Sequence, residues 1–269
     1  MARCFGYAGD VVVRVLILGE GKSGTTALLR SVASALGDPS ELFEPAVLQP
    51  EDLEADPLVV KKLLLSWRNK EARLAERFDK RIFIVRDPRD RLISHLLYDA
   101  YNAASELDDS QRTQWLDAIA AKSADPESMS FAGLLHRWWE ISGRDLLSQH
   151  VRAIDRTRRF LRRQSDDFFV LKYEDYVDGE FAAVDDYLGL TLAPGVVAKA
   201  ESRVSRRGGH GDWRIWFTSQ DLPVFQPMTS IGLAMQGYDP DDWAVRESDR
   251  IDTALSVDYV RALFDRVPV

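Results

Sequence analysis

The sequence predicts an α/β fold, a central parallel sheet flanked by helices. Apolar, strand-like runs recur at Val11–Leu18, Leu58–Leu65, Arg81–Val85 and Phe168–Leu171, and helical stretches separate them. Strands interleaved with helices pair in parallel and bury both faces of their sheet. The 269 residues are 45% hydrophobic and 29% charged, which is ordinary for a chain that buries a sizeable core. No internal repeat, low-complexity tract or linker divides them, so residues 1–269 read as a single domain.

The first run, V-V-V-R-V-L-I-L, is rich in β-branched residues and stops at Gly19 and Gly21. Thr25 or Thr26 then opens a helix through Ala35, closed by Gly37-Asp38-Pro39. Arg81–Val85 ends at Arg86-Asp87-Pro88-Arg89-Asp90. Helix follows from Pro88, where the missing N–H would be unpaired in any case. Phe131, Leu134, Leu135, Trp138 and Trp139 lie at roughly helical spacing, and Ala153–Gln164 is an arginine-rich helical stretch. Phe168–Leu171 leads into Lys172-Tyr173-Glu174-Asp175. A glycine-rich segment, Gly208-Gly209-His210-Gly211, precedes Trp213, Trp216 and Phe217, and a last helix covers Ile251–Arg266.

Charge and cysteine usage exclude several classes. The net charge of -8 argues against a general nucleic-acid coat or a basic membrane anchor but allows a local anion pocket. Cys4 is the single cysteine, so neither an intramolecular disulfide nor a Cys-rich zinc site can form. No clustered His/Cys/Asp set suggests a metal. Val11–Leu18 is too short to span a bilayer. The expectation is a cytoplasmic protein with no nucleic-acid partner and no membrane span.

The strongest local signal is Gly19-Glu20-Gly21-Lys22-Ser23-Gly24-Thr25-Thr26, between a buried strand and a helix. Backbone N–H groups in such a loop, with the start of a helix, form a site for a phosphate or sulfate group. Lys22 adds a mobile charge, and Thr25 and Thr26 add hydroxyls. The other reading is a glycine-rich helix cap with no ligand. A nucleotide triphosphatase loop, the mark of a kinase, needs a first glycine at the position of Leu16, so that pattern fails.

Arg86 at the tip of the third run, with Ser94 in the following helix, makes a second candidate for holding an anion beyond the strand ends. Arg86 reads equally as a salt-bridge partner of Asp87 or Asp90, and Ser94 as a solvent-facing helix residue. Ser205-Arg206-Arg207-Gly208-Gly209 is a third candidate, because guanidinium groups form paired bonds with phosphate oxygens. Its bland reading is a charged, solvated loop.

Together these stretches resemble the sulfotransferase family that uses 3′-phosphoadenosine 5′-phosphosulfate (PAPS). Lys22-Ser23-Gly24-Thr25-Thr26 is similar to its 5′-phosphosulfate loop. Arg86-Asp87-Pro88-Arg89-Asp90 with Ser94 is similar to its 3′-phosphate motif. Lys172-Tyr173-Glu174-Asp175 and Arg206-Arg207-Gly208 are similar to two later elements, all in the family's order. The resemblance implies a P-loop NTPase-like sulfotransferase fold, PAPS as donor and no metal. It implies that Lys22 neutralises the bridging oxygen and that Ser23, Gly24, Thr25 and Thr26 hold the 5′-phosphate. Arg86, Ser94, Arg207 and Gly208 then grip the 3′-phosphate, with Arg206 as the substitute for Arg207, and Tyr173 lies near adenine. Homodimers are common in that family.

The chain also departs from the family's cytosolic phenol and steroid branch. Ala27 stands where a Trp packs on adenine. Val60-Lys61-Lys62-Leu63 carries a lysine at the place of a Lys-Thr-His element, with Lys61 or Lys62 as its counterpart, but no histidine base follows. Glu44 in Glu41-Leu42-Phe43-Glu44-Pro45 is the first choice for the base, with Glu41 as alternate; Glu44 also reads as a surface carboxylate in a turn. His95 reads as a helix-face residue, His136 as a core or pocket residue and His150 as exposed, while His210 can close over the site from its loop. Trp138, Trp139, Trp213, Trp216, Phe217 and Phe225 either wall an acceptor site or form core. The arginines from Arg152 to Arg163 read as a solvated face or as the one basic track that could hold a polyanionic acceptor. The expected acceptor is a hydroxyl of a small molecule, lipid or sugar.

Overall fold

In the first strand, Val15 and Ile17 alternate with Leu16 and Leu18, and all four are fully buried. Successive side chains of a strand point to opposite faces, so this sheet is covered on both sides. The computed structural model describes residues 14–37, 39–68, 71–193 and 209–266. Five strands, β1 (Arg14–Gly19), β2 (Ser40–Phe43), β3 (Leu58–Leu63), β4 (Lys80–Val85) and β5 (Phe169–Lys172), form one sheet in the order β2-β3-β1-β4-β5. Every pairing is parallel. The register sets Gly19 of β1 opposite Leu63 of β3 and Ile84 of β4, and Val85 opposite Lys172 of β5. The carboxyl ends of four strands therefore lie along one edge.

The helices are α1 (Thr25–Leu36), α2 (Ala72–Ala75), α3 (Pro88–Ala103), α4 (Asp109–Ala124), α5 (Phe131–Ser142), α6 (Leu146–Gln164), α7 (Tyr173–Val177), α8 (Ala182–Leu188), α9 (Trp213–Trp216), α10 (Leu222–Met235) and α11 (Val257–Phe264). On one face of the sheet, Val15, Ile17, Val59, Ile82 and Ile84 pack with residues of α1, α7 and α8. On the other, Leu16, Leu18, Val60, Phe83 and Val85 pack with Phe160 and Leu161 of α6. The expected helix-flanked parallel sheet is what forms. None of the described helices is long and apolar enough to cross a membrane.

A third core cluster joins α3, α4, α5, α9, α10 and α11. Trp138, Trp213, Trp216, Phe217 and Phe225 are at most 1% exposed within it, so these aromatics are core and not an acceptor wall. Phe131 stacks on Phe217 at 5.0 Å between centroids, and Trp115 lies 4.6 Å from Trp138. Trp139 points outward.

Two further readings are corrected. The stretch after the first helix contains β2, a four-residue parallel edge strand paired with β3. Its mostly exposed, partly polar sequence Ser-Glu-Leu-Phe carries no apolar run from which a strand could be read. His150, expected on the surface, is 1% exposed, because α6 turns that face toward α3.

Candidate functional site

The carboxyl edge of the sheet opens into a cavity of about 810 Å³. This is within the range of small-ligand sites, and it lies where the strand order reverses around β1. The loop from Glu20 to Gly24, the tips of β3 and β4, the inner face of α3 and one stripe of α6 enclose it.

The loop is built by two unusual backbone residues. Lys22 has φ 70° and Gly24 has φ 91°, both left-handed. The Ser23 hydroxyl and N–H both donate to the Glu20 carbonyl, at 2.7 and 3.2 Å, and lock the turn that leads into α1. At Gly24 the turn and the packing agree. A Cβ there would lie 2.5 Å from Cδ2 of Tyr173. Gly24→Ala is therefore expected to lower stability by at least about 1–2 kcal/mol, the usual cost of left-handed backbone alone, and to push Tyr173 out of place. Chemical denaturation checks the first effect.

The loop and the third strand converge. The Arg86 side chain, 6% exposed, donates from Nη1 to the Lys22 carbonyl at 3.1 Å and lies over the Tyr173 ring at 4.3 Å. Neither salt bridge envisaged for it forms. Asp87 caps α3 through the Arg89 N–H at 2.8 Å and pairs with the Arg89 guanidinium at 2.6 Å. Asp90 accepts the N–H groups of Gly211 and Trp213 and so ties that segment to the first turn of α3. Burial is the main cause that raises Asp90 to about 6. The Arg86 Nε is buried and has no hydrogen-bond partner among the described residues.

On α3, Arg91, Ser94, His95, Tyr98 and Asn102 face the cavity. Their spacing of three and four residues makes one helical stripe. Lys22 reaches across to this stripe, with Nζ 3.8 Å from the centre of the Tyr98 ring. Of the predicted residues, Lys22, Gly24, Thr25, Thr26, Glu44, Arg86, Ser94 and Tyr173 all line the cavity. Ser23 is 1% exposed and acts through the turn it locks. Arg206, Arg207 and Gly208 lie outside the described residues.

The structure does not bring Lys62 or His210 to this cavity. Adjacent strand residues point to opposite faces, so Lys61 and Lys62 cannot both face the site. It is Lys61 that lines the cavity, donating to the Thr26 hydroxyl at 3.0 Å and pairing with Glu44. Lys62 turns the other way, into a fully buried pair with Glu71 at 2.9 Å. His210 sits outside, its Nε2 3.0 Å from an Asp178 carboxylate oxygen. Glu44 itself has left-handed backbone, φ 51°.

The other side of the cavity comes from the arginine-rich helix. Gln149, Arg152, Ala153 and Arg156 line it from α6 at spacings of three, one and three residues. That stripe was present in the sequence, but an arginine-rich helix reads first as a solvated face. Arg156 holds Glu20 through two bonds of 2.8 and 2.7 Å. Asp99, fully buried, accepts from Trp138 Nε1 at 3.0 Å and from Arg144 at 2.8 and 3.0 Å. Arg91 donates to Nδ1 of His150 at 3.1 Å. Since guanidinium only donates, His150 Nδ1 accepts. Burial, reinforced by Arg91 and His95, holds that imidazole well below its ordinary value and so neutral. Seven basic side chains and three carboxylates line the cavity, so an acidic chain carries a locally positive chamber.

Fold and site together define an α/β protein with a cavity lined mainly by basic side chains at the carboxyl edge of a parallel sheet. Among solved structures, the chain is similar to mouse sulfotransferase SULT7A1 complexed with PAP. The two share 14% identity over 84% of this chain and 89% of that one, with a TM-score of 0.48. No protein-family model matches the sequence, and no curated protein does.

Proposed function

We propose that the chain is a sulfotransferase that moves the sulfuryl group of PAPS to a hydroxyl of an acceptor, working in the cytoplasm on a P-loop-like sulfotransferase fold. One observation carries this reading. Lys22 after β1, Thr25 and Thr26 at the start of α1, Arg86 at the tip of β4 and Ser94 on α3 line a single cavity with Tyr173 beside them. Two sets of donors for anionic groups then lie beside one aromatic ring, which supports a doubly phosphorylated adenosine as ligand. The residues fit such a ligand. The Arg86 guanidinium bonds only to the carbonyls of Lys22 and Gly209 and so carries no carboxylate partner, and the missing Cβ of Gly24 lets the loop pack against Tyr173.

In this reading Lys22 and the loop hold the 5′ end, and Arg86 and Ser94, joined by Arg206, Arg207 and Gly208, hold the 3′-phosphate. PAPS supplies an activated sulfuryl group. The chain supplies position and fixed positive charge, which act most strongly where negative charge develops on the departing phosphate. Of Lys61 and Lys62, it is Lys61, fixed between Thr26 and Glu44, that takes the part of the family's lysine, and Glu44 orients it. The acceptor end is bounded by Asn102, Gln149 and Arg152 and by Leu63 and Leu65. That lining suits a polar hydroxyl compound such as a sugar or other small metabolite better than a flat apolar ring. The test is ligand-induced stabilisation. The product bisphosphate, 3′-phosphoadenosine 5′-phosphate, should raise the melting temperature, while ATP with magnesium should not. A bisphosphate that leaves the melting temperature unmoved overturns the reading.

A further inference from the structure

Transfer to a hydroxyl needs a group to take the acceptor's proton. Three carboxylates line the cavity, and each already has a cationic partner. Glu20 holds Arg156, Glu44 holds Lys61, and Asp99 holds Arg144. Protonating any of them removes one half of an ion pair. Lys22, Lys61 and the arginines are already protonated. Among the described residues, one imidazole lines the cavity, that of His95.

His95 differs from the other candidates in being uncommitted. Its Nδ1 is buried and has no hydrogen-bond partner. That nitrogen has almost no accessible surface, so the half-buried ring meets the cavity through its other edge. Its place on α3 is between Ser94 and the Tyr98 turn. Lys22 Nζ lies over the Tyr98 ring, so the imidazole is about one helical turn from the loop lysine.

Resting on the sulfotransferase reading, we propose that His95 is the residue that accepts the acceptor's hydroxyl proton. The acceptor's O–H bond breaks and its proton passes to the imidazole, while its oxygen forms the new bond to sulfur. The old bond from sulfur to the 5′-phosphate oxygen breaks, and its electron pair leaves on that phosphate.

The surroundings make this proton transfer dependent on a bound anion. The charged groups that face His95 are Arg91 and Asp99 on its own helix, Lys22 from the loop and Arg144 from the start of α6, with neutral His150 beyond Arg91. Burial comes first, then Arg91, Lys22 and Arg144 against the pull of Asp99, and together they hold the ring at about 4. An anionic nucleotide beside Lys22 offsets those cations and moves the imidazole back toward its ordinary 6.5. The neutral ring is the active form, so turnover is present above its pKa and lost as pH falls through it.

The test compares wild type with His95→Gln in three measurements. Calorimetry with 3′-phosphoadenosine 5′-phosphate should give dissociation constants within about threefold of each other. A wild type that does not bind overturns the functional reading, and a variant that alone loses binding makes His95 a nucleotide ligand and overturns this proposal. NMR of the His95 ring, assigned by its absence in the variant, should show its titration moving to higher pH on adding the bisphosphate; an unmoved titration overturns the proposal. Sulfate release from PAPS, with water as the acceptor, should fall at least about 100-fold in the variant, the lower end of the 10²–10⁴-fold span of acid–base contributions. The variant should also lose the acid limb between about 4 and 6.5. An equal rate, or a wild type that releases no sulfate above background, overturns the assignment.

Discussion

Lys22→Ala is expected to slow sulfate release from PAPS by about 10²–10³-fold, the span seen when one fixed donor to a developing oxyanion is removed. The size follows from position. The left-handed turn at Lys22 points the loop into the cavity, and its ammonium crosses to the Tyr98 ring, beside the stripe that carries Ser94 and His95. Its charge is therefore held in a partly desolvated chamber, where electrostatic effects exceed those in water. Bisphosphate affinity should weaken far less, since Arg86 and the loop N–H groups remain. A Lys22→Ala protein that unfolds cooperatively but keeps its rate within about twofold removes Lys22 from the chemistry.

The second large effect is on stability, at Glu71→Gln. Lys62 and Glu71 are both fully buried and 2.9 Å apart. Stranding one member of such a pair costs about 3–5 kcal/mol. The ammonium keeps only the carbonyl of Pro45, at 2.8 Å, and that of Ala46, at 3.2 Å. Lys62→Met combined with Glu71→Gln should recover part of that loss in urea unfolding, because it removes the stranded ammonium, while the one glutamine oxygen can accept from only one of the Leu48 and Arg68 N–H groups. If the single variants and the double lose the same amount, the pair is not coupled.

Acid adds a further expectation. Burial acts to raise Glu71, but the N–H groups of Leu48 and Arg68 and the Lys62 ammonium outweigh it and hold the carboxyl below its ordinary 4.5. A depressed carboxylate stabilises the fold above its unfolded value, and that contribution fades as pH falls through the folded value. Wild type should therefore lose stability on acidification below about 4.5, and Glu71→Gln should lose less over the same interval.

The pattern of what could be read in the sequence has physical causes. Strand β1, its loop and the helix α1 are contiguous, and a buried strand stopped by glycines announces itself locally. Arg86-Asp87-Pro88 is legible for the same reason, since Pro88 marks the first turn of α3. The choice between Lys61 and Lys62 was not legible. Both faces of β3 are buried, so alternation alone does not say which lysine meets the cavity. The α6 stripe and His95 were present at helical spacing, but only the packing of α6 against α3 shows that these faces enclose a cavity. The aromatic residues failed as an acceptor wall because apolar bulk is first drawn into the interior, where Phe131, Phe217 and Phe225 meet.

The contrast between an acidic exterior and a basic chamber sets two ranges of force. Fields from separated surface charges fade over about 8 Å at physiological ionic strength, while those inside a low-dielectric cleft persist and concentrate. An extended polyanionic carrier meets repulsion along most of its length before any part of it enters. A compact anion shorter than the screening distance meets little of that repulsion and falls directly under the chamber's attraction. Size thus filters the molecules that arrive before any shape recognition begins.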